Sequence, residues 1–169
     1  MPSNLELKAV CRSLADAQKI ARKIRAKRIG TMHQTDTYFR INRGRLKLRE
    51  IRGAGSELIY YRRPNRKGSR FSNYLVVPVV SRVAMKRLFR SLFGERTVVR
   101  KLRTLYLYKN ARIHLDRVKG LGSFIEFEVL NTRGKRQAQT MMIFLKNEFR
   151  IRQGAIIAGS YSDLIWKRR

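Results

Sequence analysis

Charged side chains recur at every second position through several stretches of this chain, with apolar residues between them. Glu6 and Lys8 alternate with Leu5, Leu7 and Ala9, and Arg45, Lys47 and Arg49 alternate with Leu46 and Leu48. Lys101 shares a phase with Arg103, Glu57 with Arg63, and Arg112 with His114 and Asp116 opposite Ile113 and Leu115. Glu126 and Glu128 stand opposite Ile125, Phe127 and Val129. A period of two puts such residues on opposite faces of a β-strand. An antiparallel sheet with one solvated face would carry mixed polar residues there. Here Ser, Thr, Asn and Gln are scarce on the polar faces, and like charges sit two apart, where they repel unless a ligand or ion lies between them. Closing the sheet would turn the charged faces into a hydrated tunnel and leave the apolar faces outward under helices. The expected fold is therefore α+β: a closed or nearly closed antiparallel β-barrel with a charged interior, helices packed outside, and a single domain over residues 1–169.

Turn and cap signals place the elements. A strand starts at residue 4. Ser13 with Asp16 predicts a helix cap, and Leu14, Ala17, Ile20, Ala21 and Ile24 predict a helix over 14–28. Strands over 35–41 and 45–51 flank the Asn42-Arg43-Gly44 turn, and another covers 57–63. Residues 64–72, with Arg66, Lys67 and Arg70, read as a loop before a short strand over 71–79, whose Pro78 suits a sheet edge. Ser81 caps a second helix with Val83, Met85, Leu88, Phe89 and Leu92 as its apolar side and Gly94 as its stop. Strands over 98–108, 110–118 and 123–130, a helix over 137–149 and a short helix within 155–166 complete the chain.

Composition narrows the function. The single cysteine, Cys11, excludes an internal disulfide and a cysteine metal cluster. No apolar stretch approaches the roughly 20 residues of a membrane-spanning helix, and the first residues lack a secretory signal. The expected location is intracellular, cytoplasmic by default, with the nucleus as the alternative that a basic chain raises. With 40 Lys and Arg against 11 Asp and Glu, the net charge of +29 favours polyanionic partners. RNA or DNA is thus a candidate partner through Arg66–Arg70, Arg82–Arg90, Arg133–Arg136 and the basic face of the first helix. A homodimer and a monomer are equally compatible with the sequence.

The in-phase carboxylates Glu126 and Glu128, with Asp116, suit a hard divalent cation, and the Lys and Arg pairs suit phosphate oxygens. Together they imply Mg²⁺ or Mn²⁺ bound with a polyphosphate. The segments Leu5-Glu6-Leu7-Lys8, Gln34-Thr35-Asp36-Thr37-Tyr38-Phe39, Arg45-Leu46-Lys47-Leu48-Arg49-Glu50, Leu58-Ile59-Tyr60-Tyr61-Arg62-Arg63, Lys101-Leu102-Arg103, His114-Leu115-Asp116 and Phe124-Ile125-Glu126-Phe127-Glu128 resemble those of the CYTH superfamily, also called triphosphate tunnel metalloenzymes. The similarity leans toward its class IV adenylyl cyclase-like branch. Asn4 stands where the Glu-x-Glu-x-Lys signature has its first acid, which weakens one potential metal contact. The resemblance implies that Glu6, Asp116, Glu126 and Glu128 hold metal. It implies that Lys8, Lys47, Arg49, Arg63, Lys101 and Arg103 grip phosphates, and that Lys8 and Glu6 serve catalysis. The expected activity is metal-dependent hydrolysis of a triphosphate-containing small molecule. The alternatives are cyclisation of ATP to cyclic AMP and pyrophosphate, cleavage of nucleic acid or removal of an RNA 5′-triphosphate, and polyphosphate binding without turnover. His114, in phase with Asp116, reads as a hydrogen-bonded structural histidine, with a tunnel residue as the alternative, and Arg62 and Arg100 fall outside the site.

Overall fold

The alternating stretches become neighbouring staves of one closed wall. The computed structural model describes residues 2–132 and 134–168. Its strands are β1 (Ser3–Val10), β2 (Lys27–Phe39), β3 (Arg45–Ile51), β4 (Ser56–Arg62), β5 (Arg70–Val79), β6 (Glu95–Tyr108), β7 (Ala111–Val118) and β8 (Gly122–Leu130). They close antiparallel in the order β1-β5-β4-β3-β2-β6-β7-β8. Outside the strands lie α1 (Leu14–Lys23), α2 (Arg82–Phe93), α3 (Lys135–Glu148), α4 (Tyr161–Trp166) and a 3₁₀ turn at Gln153–Ala155. No helix among the described residues is long and apolar enough to cross a membrane.

The apolar phase of most strands faces out and is covered, whereas Leu75 and Val77 of β5 stay exposed. Leu5, Leu7, Ile113, Leu115, Ile125 and Phe127 pack under α1 and α3 against Ala17, Ala21, Met142 and Leu145. Burying each of the large side chains is worth about 1.5–3 kcal/mol, so this side of the barrel carries most of the hydrophobic stabilisation. A smaller cluster of Phe39, Leu46, Leu48 and Val79 lies under Met85 and Phe89 of α2. A third group, Tyr38, Ile59, Tyr61, Val99, Val118, Phe124 and Tyr161, belongs to the inward phase and joins α4 to the barrel interior. The Ser160–Asp163 capping box fixes the start of α4, and Asp163 also binds Arg45 (2.8 Å) and Arg96 (3.2 Å).

Several boundaries differ from the sequence reading. The first helix ends at Lys23 rather than 28, and β2 begins at Lys27 rather than 35. Arg25 takes a left-handed φ of 59°, with Arg25 N–H donating to the Arg22 carbonyl and Ala26 N–H to that of Ala21. That is a Schellman stop built without glycine, so the usual stop signal is missing from the sequence. Arg150 ends α3 in the same way at φ 50°. The predicted apolar side of the second helix is mostly in solvent: Val83, Leu88 and Leu92 are exposed, because the barrel offers α2 only the small patch met by Met85 and Phe89. Arg70 is not a loop residue available to a polyanion. It starts β5, is wholly buried, and donates from Nη1 to the carbonyls of Arg66, Gly68 and Ile157. Arg133 lies outside the described residues. Pro78 sits where β5 pairs with β4 alone, since β1 pairs only with residues 70–73 of β5, and a missing N–H costs nothing there.

Candidate functional site

Strand register decides which charges meet. Lys8 faces Glu126 across β1 and β8, Arg103 faces Asp116 across β6 and β7, Arg49 faces Asp36 across β3 and β2, and Arg112 faces Glu128 across β7 and β8. At least one member of each like-charged pair thus meets an opposite charge in direct register, while Lys47 and Lys101 share Asp36 with Arg49. Part of the crowding is therefore relieved within the protein, where the sequence implies a ligand or ion.

On one wall, Asp36 is buried and accepts hydrogen bonds from Lys47 (3.1 Å), Lys101 (3.1 Å) and Arg49 (2.9 and 3.3 Å). Against the cost of burial, these cations hold its carboxyl well below the usual range. Burial, with Arg49 close by, pushes the Lys47 ammonium down to about 7. Lys101 is lowered for the same reasons, by burial and by Arg103. Nearby, Arg103 grips Asp116 bidentately (2.7 and 2.6 Å) and reaches Glu126 (2.8 Å). The Tyr161 hydroxyl donates to Asp116 at 2.8 Å. Despite burial, Arg103 brings Asp116 down to about 2.

The facing wall is acidic. In barrel order, β8 stands opposite β3 and β1 opposite β2, so Glu6, Glu126 and Glu128 look across at the cations around Asp36. Glu6 and Glu128 are direct cross-strand partners, like charge against like charge. Burial raises the pKa of Glu6, and Glu128 and Glu126 add to it although Arg63 binds this carboxylate at 2.5 Å. Lys8 lies 3.3 Å from Glu126 and 3.8 Å from the centroid of the Tyr161 ring, and burial lowers it to about 8. His114, Glu126 and Glu128 bring donor atoms within 4.8 Å of one another. Burial and the Arg103 charge push His114 down to about 4, so its ring is neutral at ordinary pH. Its buried Nδ1 lacks a hydrogen-bond partner among the described residues and lies 3.8 Å from Glu128 Oε1. This is not the satisfied structural histidine that the sequence reading expects.

A cavity of about 260 Å³ runs between the walls, lined by Glu6, Lys8, Lys47, Arg49, Arg63, Lys101, Arg103, Glu126 and Glu128. All the residues expected to grip phosphate thus line one space, as do three of the four expected to hold metal. Asp116 stands behind them, fully buried and taken up by Arg103 and Tyr161. Arg62 and Arg100 are exposed, as expected. Sequence reasoning missed the centre of the basic wall, Asp36, although Gln34, Asp36 and Tyr38 alternate in phase. It also missed Tyr161, which the Ser160 cap marks as the first residue of a helix.

The carboxylates fit a divalent cation. Opposed Glu6 and Glu128 with Glu126 beside them form an oxygen-rich, mutually repelling set, which a hard cation would relieve, and His114 offers a free nitrogen.

The family described as CYTH domain matches residues 3–161. PH1012 protein from Pyrococcus horikoshii OT3 has a similar structure, with a TM-score of 0.87 and 24% identity over 95% of this chain and 98% of that one. A candidate adenylate cyclase from Vibrio parahaemolyticus gives 0.79 and 16%, covering 96% and 97%. HpAC1 from Hippeastrum, an adenylyl cyclase candidate described as having a dominant triphosphatase activity, gives 0.64 and 15%, covering 99% and 96%. No curated protein matches the sequence.

Proposed function

The chain belongs to the CYTH domain family, and on that premise we propose that it hydrolyses a triphosphate-containing small molecule with the help of Mg²⁺ or Mn²⁺. The observation that carries this reading is the pair of facing walls, basic around Asp36 and acidic around Glu6 and Glu128. A triphosphate chain bridges such walls only with a cation on the acidic side.

Lys47, Arg49 and Lys101, with Arg63 and Arg103, hold the phosphate oxygens and neutralise charge that develops on the transferred phosphoryl group. Their fixed places on strands make the site preorganised, so catalysis is mainly positioning. Glu6, Glu126 and Glu128 would hold the cation with His114, and Asp116 behind them fixes Arg103. When bound, the cation draws charge from a phosphoryl oxygen and lowers the pKa of a coordinated water. Lys8 orients the attacking water, and Glu6, its pKa raised, accepts the proton. An attacking ribose 3′-hydroxyl in place of water would give the cyclase outcome. HpAC1, of the same fold, supports hydrolysis as the leading outcome by its described activity.

A nucleic-acid substrate is the second reading. It is supported by the five acids outside the tunnel, Asp16, Glu50, Glu95, Glu148 and Asp163, each of which is already ion-paired. The outer surface is left strongly basic.

Purified protein incubated with ATP, tripolyphosphate, thiamine triphosphate, single-stranded RNA or single-stranded DNA, with Mg²⁺ or Mn²⁺, tests both readings by product identification. We expect orthophosphate from a small triphosphate and at least about a hundredfold loss in Glu128→Gln, scaled from a few kcal/mol of lost transition-state stabilisation. Equal activity of wild type and Glu128→Gln would remove the metal assignment. Cyclic AMP or cut polynucleotide as the main product would move the function to the corresponding alternative.

A further inference from the structure

One carboxylate in the tunnel is left without a counter-charge. Among the described residues, ten of the eleven acids have a basic nitrogen within 4.0 Å, and Glu57 is the exception. In a chain with 40 Lys and Arg this is a selective omission. Arg49, its cross-strand neighbour, is the obvious partner, yet that guanidinium turns to Asp36 at 2.9 and 3.3 Å.

Glu57 lines the tunnel cavity together with Ile59, Tyr74 and Val76. Ile59 pairs with Val76, and Tyr61 with Tyr74, so these residues form one continuous patch on β4 and β5. Val76 is inward in phase yet 40% exposed, which means that its apolar surface is uncovered. In barrel order β5 and β4 stand between the acidic β1 and the basic β3. The cavity therefore has a third side, which at its Glu57 end is apolar through Ile59 and Val76 and carries a carboxylate with no basic nitrogen within 4.0 Å among the described residues, while Arg63 and Ser72 lie toward its other end. An additional phosphate placed there would meet a bare negative charge.

We propose that this side is the subsite for the organic group of a triphosphate monoester. Hydroxyl or N–H donors of that group bond to the Glu57 carboxylate, while its apolar face lies on Ile59, Tyr74 and Val76. The proposal rests on the triphosphate reading above and narrows its substrate class: an organic triphosphate is preferred to inorganic tripolyphosphate. A site that offers a buried or half-buried acceptor discriminates against ligands without the matching donor, because the acceptor is then left unpaired. Donor groups of this kind occur on a nucleoside and on the aminopyrimidine of thiamine.

Titration calorimetry of wild type, Glu57→Ala and Glu57→Gln with ATP, thiamine triphosphate and tripolyphosphate, each with Ca²⁺ in place of Mg²⁺ and with the ligand checked intact after the titration, tests this through binding alone. Glu57 has no ion-pair or hydrogen-bond partner among the described residues to lose, so both variants should unfold at the wild-type temperature. The wild type should bind at least one organic triphosphate more tightly than tripolyphosphate. Glu57→Ala should weaken that ligand about tenfold, the scale of a hydrogen bond to a charged group, while tripolyphosphate binds as well or better. Glu57→Gln should fall between. The ester whose affinity depends on Glu57 identifies the organic group. An equal change for all three ligands, or organic affinities within twofold of wild type, would overturn the subsite and leave the triphosphate reading standing. A wild type that binds none of the three would overturn that reading and the subsite with it.

Discussion

Asp36 holds together three cations that the protein would otherwise bury unpaired, so its neutralisation should destabilise the empty tunnel and make a bound polyanion unusually stabilising. Lys47 and Lys101 each lie 3.1 Å from Asp36 Oδ2, and Arg49 contacts both carboxylate oxygens. Asp36→Asn keeps the shape and removes the charge. Breaking one side of a buried ion pair costs about 3–5 kcal/mol. For a chain of this size each kcal/mol lowers Tm by about 2–4 °C, giving a fall on the order of 10 °C. Both lysines can shed their protons, whereas Arg49 cannot, and this sets the pH dependence. In the folded variant the Lys47 pKa falls further below its value of about 7, against 10.5 when unfolded. The unfolded chain then binds more protons across that interval, so stability rises with pH. Wild type shares that rise above about 7, so the deficit against wild type should be largest at low pH, shrink as the pH rises to about 7, and stay level from there to pH 9. Differential scanning fluorimetry at pH 6, 7.5 and 9, with and without tripolyphosphate, reads all of this. Tripolyphosphate should raise the Tm of Asp36→Asn more than that of wild type, since it supplies the missing charge. A variant that melts within about 2 °C of wild type at pH 6, or gains no more than wild type from tripolyphosphate, would refute the reasoning.

Lys47, surrounded by Asp36, Arg49, Lys101 and Arg103, is largely neutral at pH 8 when the tunnel is empty, and a phosphate anion beside it favours the charged form. Triphosphate binding at pH 8 should therefore take up as much as about 0.9 proton per ligand from this group, given its pKa of about 7, and much less at pH 6. Calorimetry in Tris and in HEPES checks this, and a binding enthalpy independent of buffer at pH 8 would contradict it. Tyr161→Phe removes a donor from buried Asp116 (2.8 Å), leaving an acceptor site unfilled at a cost of about 1–3 kcal/mol. Thermal unfolding should register a fall of several degrees, and an unchanged Tm would show that Arg103 alone satisfies Asp116.

The barrel was legible because its charged positions could not all be solvated strand faces. Period two set the phase of Lys47, Arg49, Lys101, Arg103, Glu126 and Glu128, and each points where that phase requires. What the sequence could not supply is register, which pairs residues far apart in the chain. That Asp36 stands beside Arg49, or Glu6 beside Glu128, depends on which strands become neighbours and by how many residues they are offset. The helix ends were opaque for a different reason. Arg25 and Arg150 adopt the left-handed conformation that normally marks a glycine, and only the backbone hydrogen bonds of the finished helices reveal it.

Register also separates the charges that serve the fold from those that await a ligand. Lys8 with Glu126, Arg103 with Asp116, and Arg49 with Asp36 are opposite charges in direct cross-strand register, so these charges have partners without a guest. Glu6 against Glu128 breaks that rule on one wall, and Glu57 goes without a counter-charge on another. Were the tunnel only a structural device, a surplus arginine could have met Glu57 as Arg63 meets Glu6. On the reading proposed above, a cation near Glu6 and Glu128, phosphate oxygens at the cations around Asp36 and a donor-bearing group at Glu57 would supply the remaining partners. A single molecule long enough to touch all three explains why the three lie on different sides of one cavity.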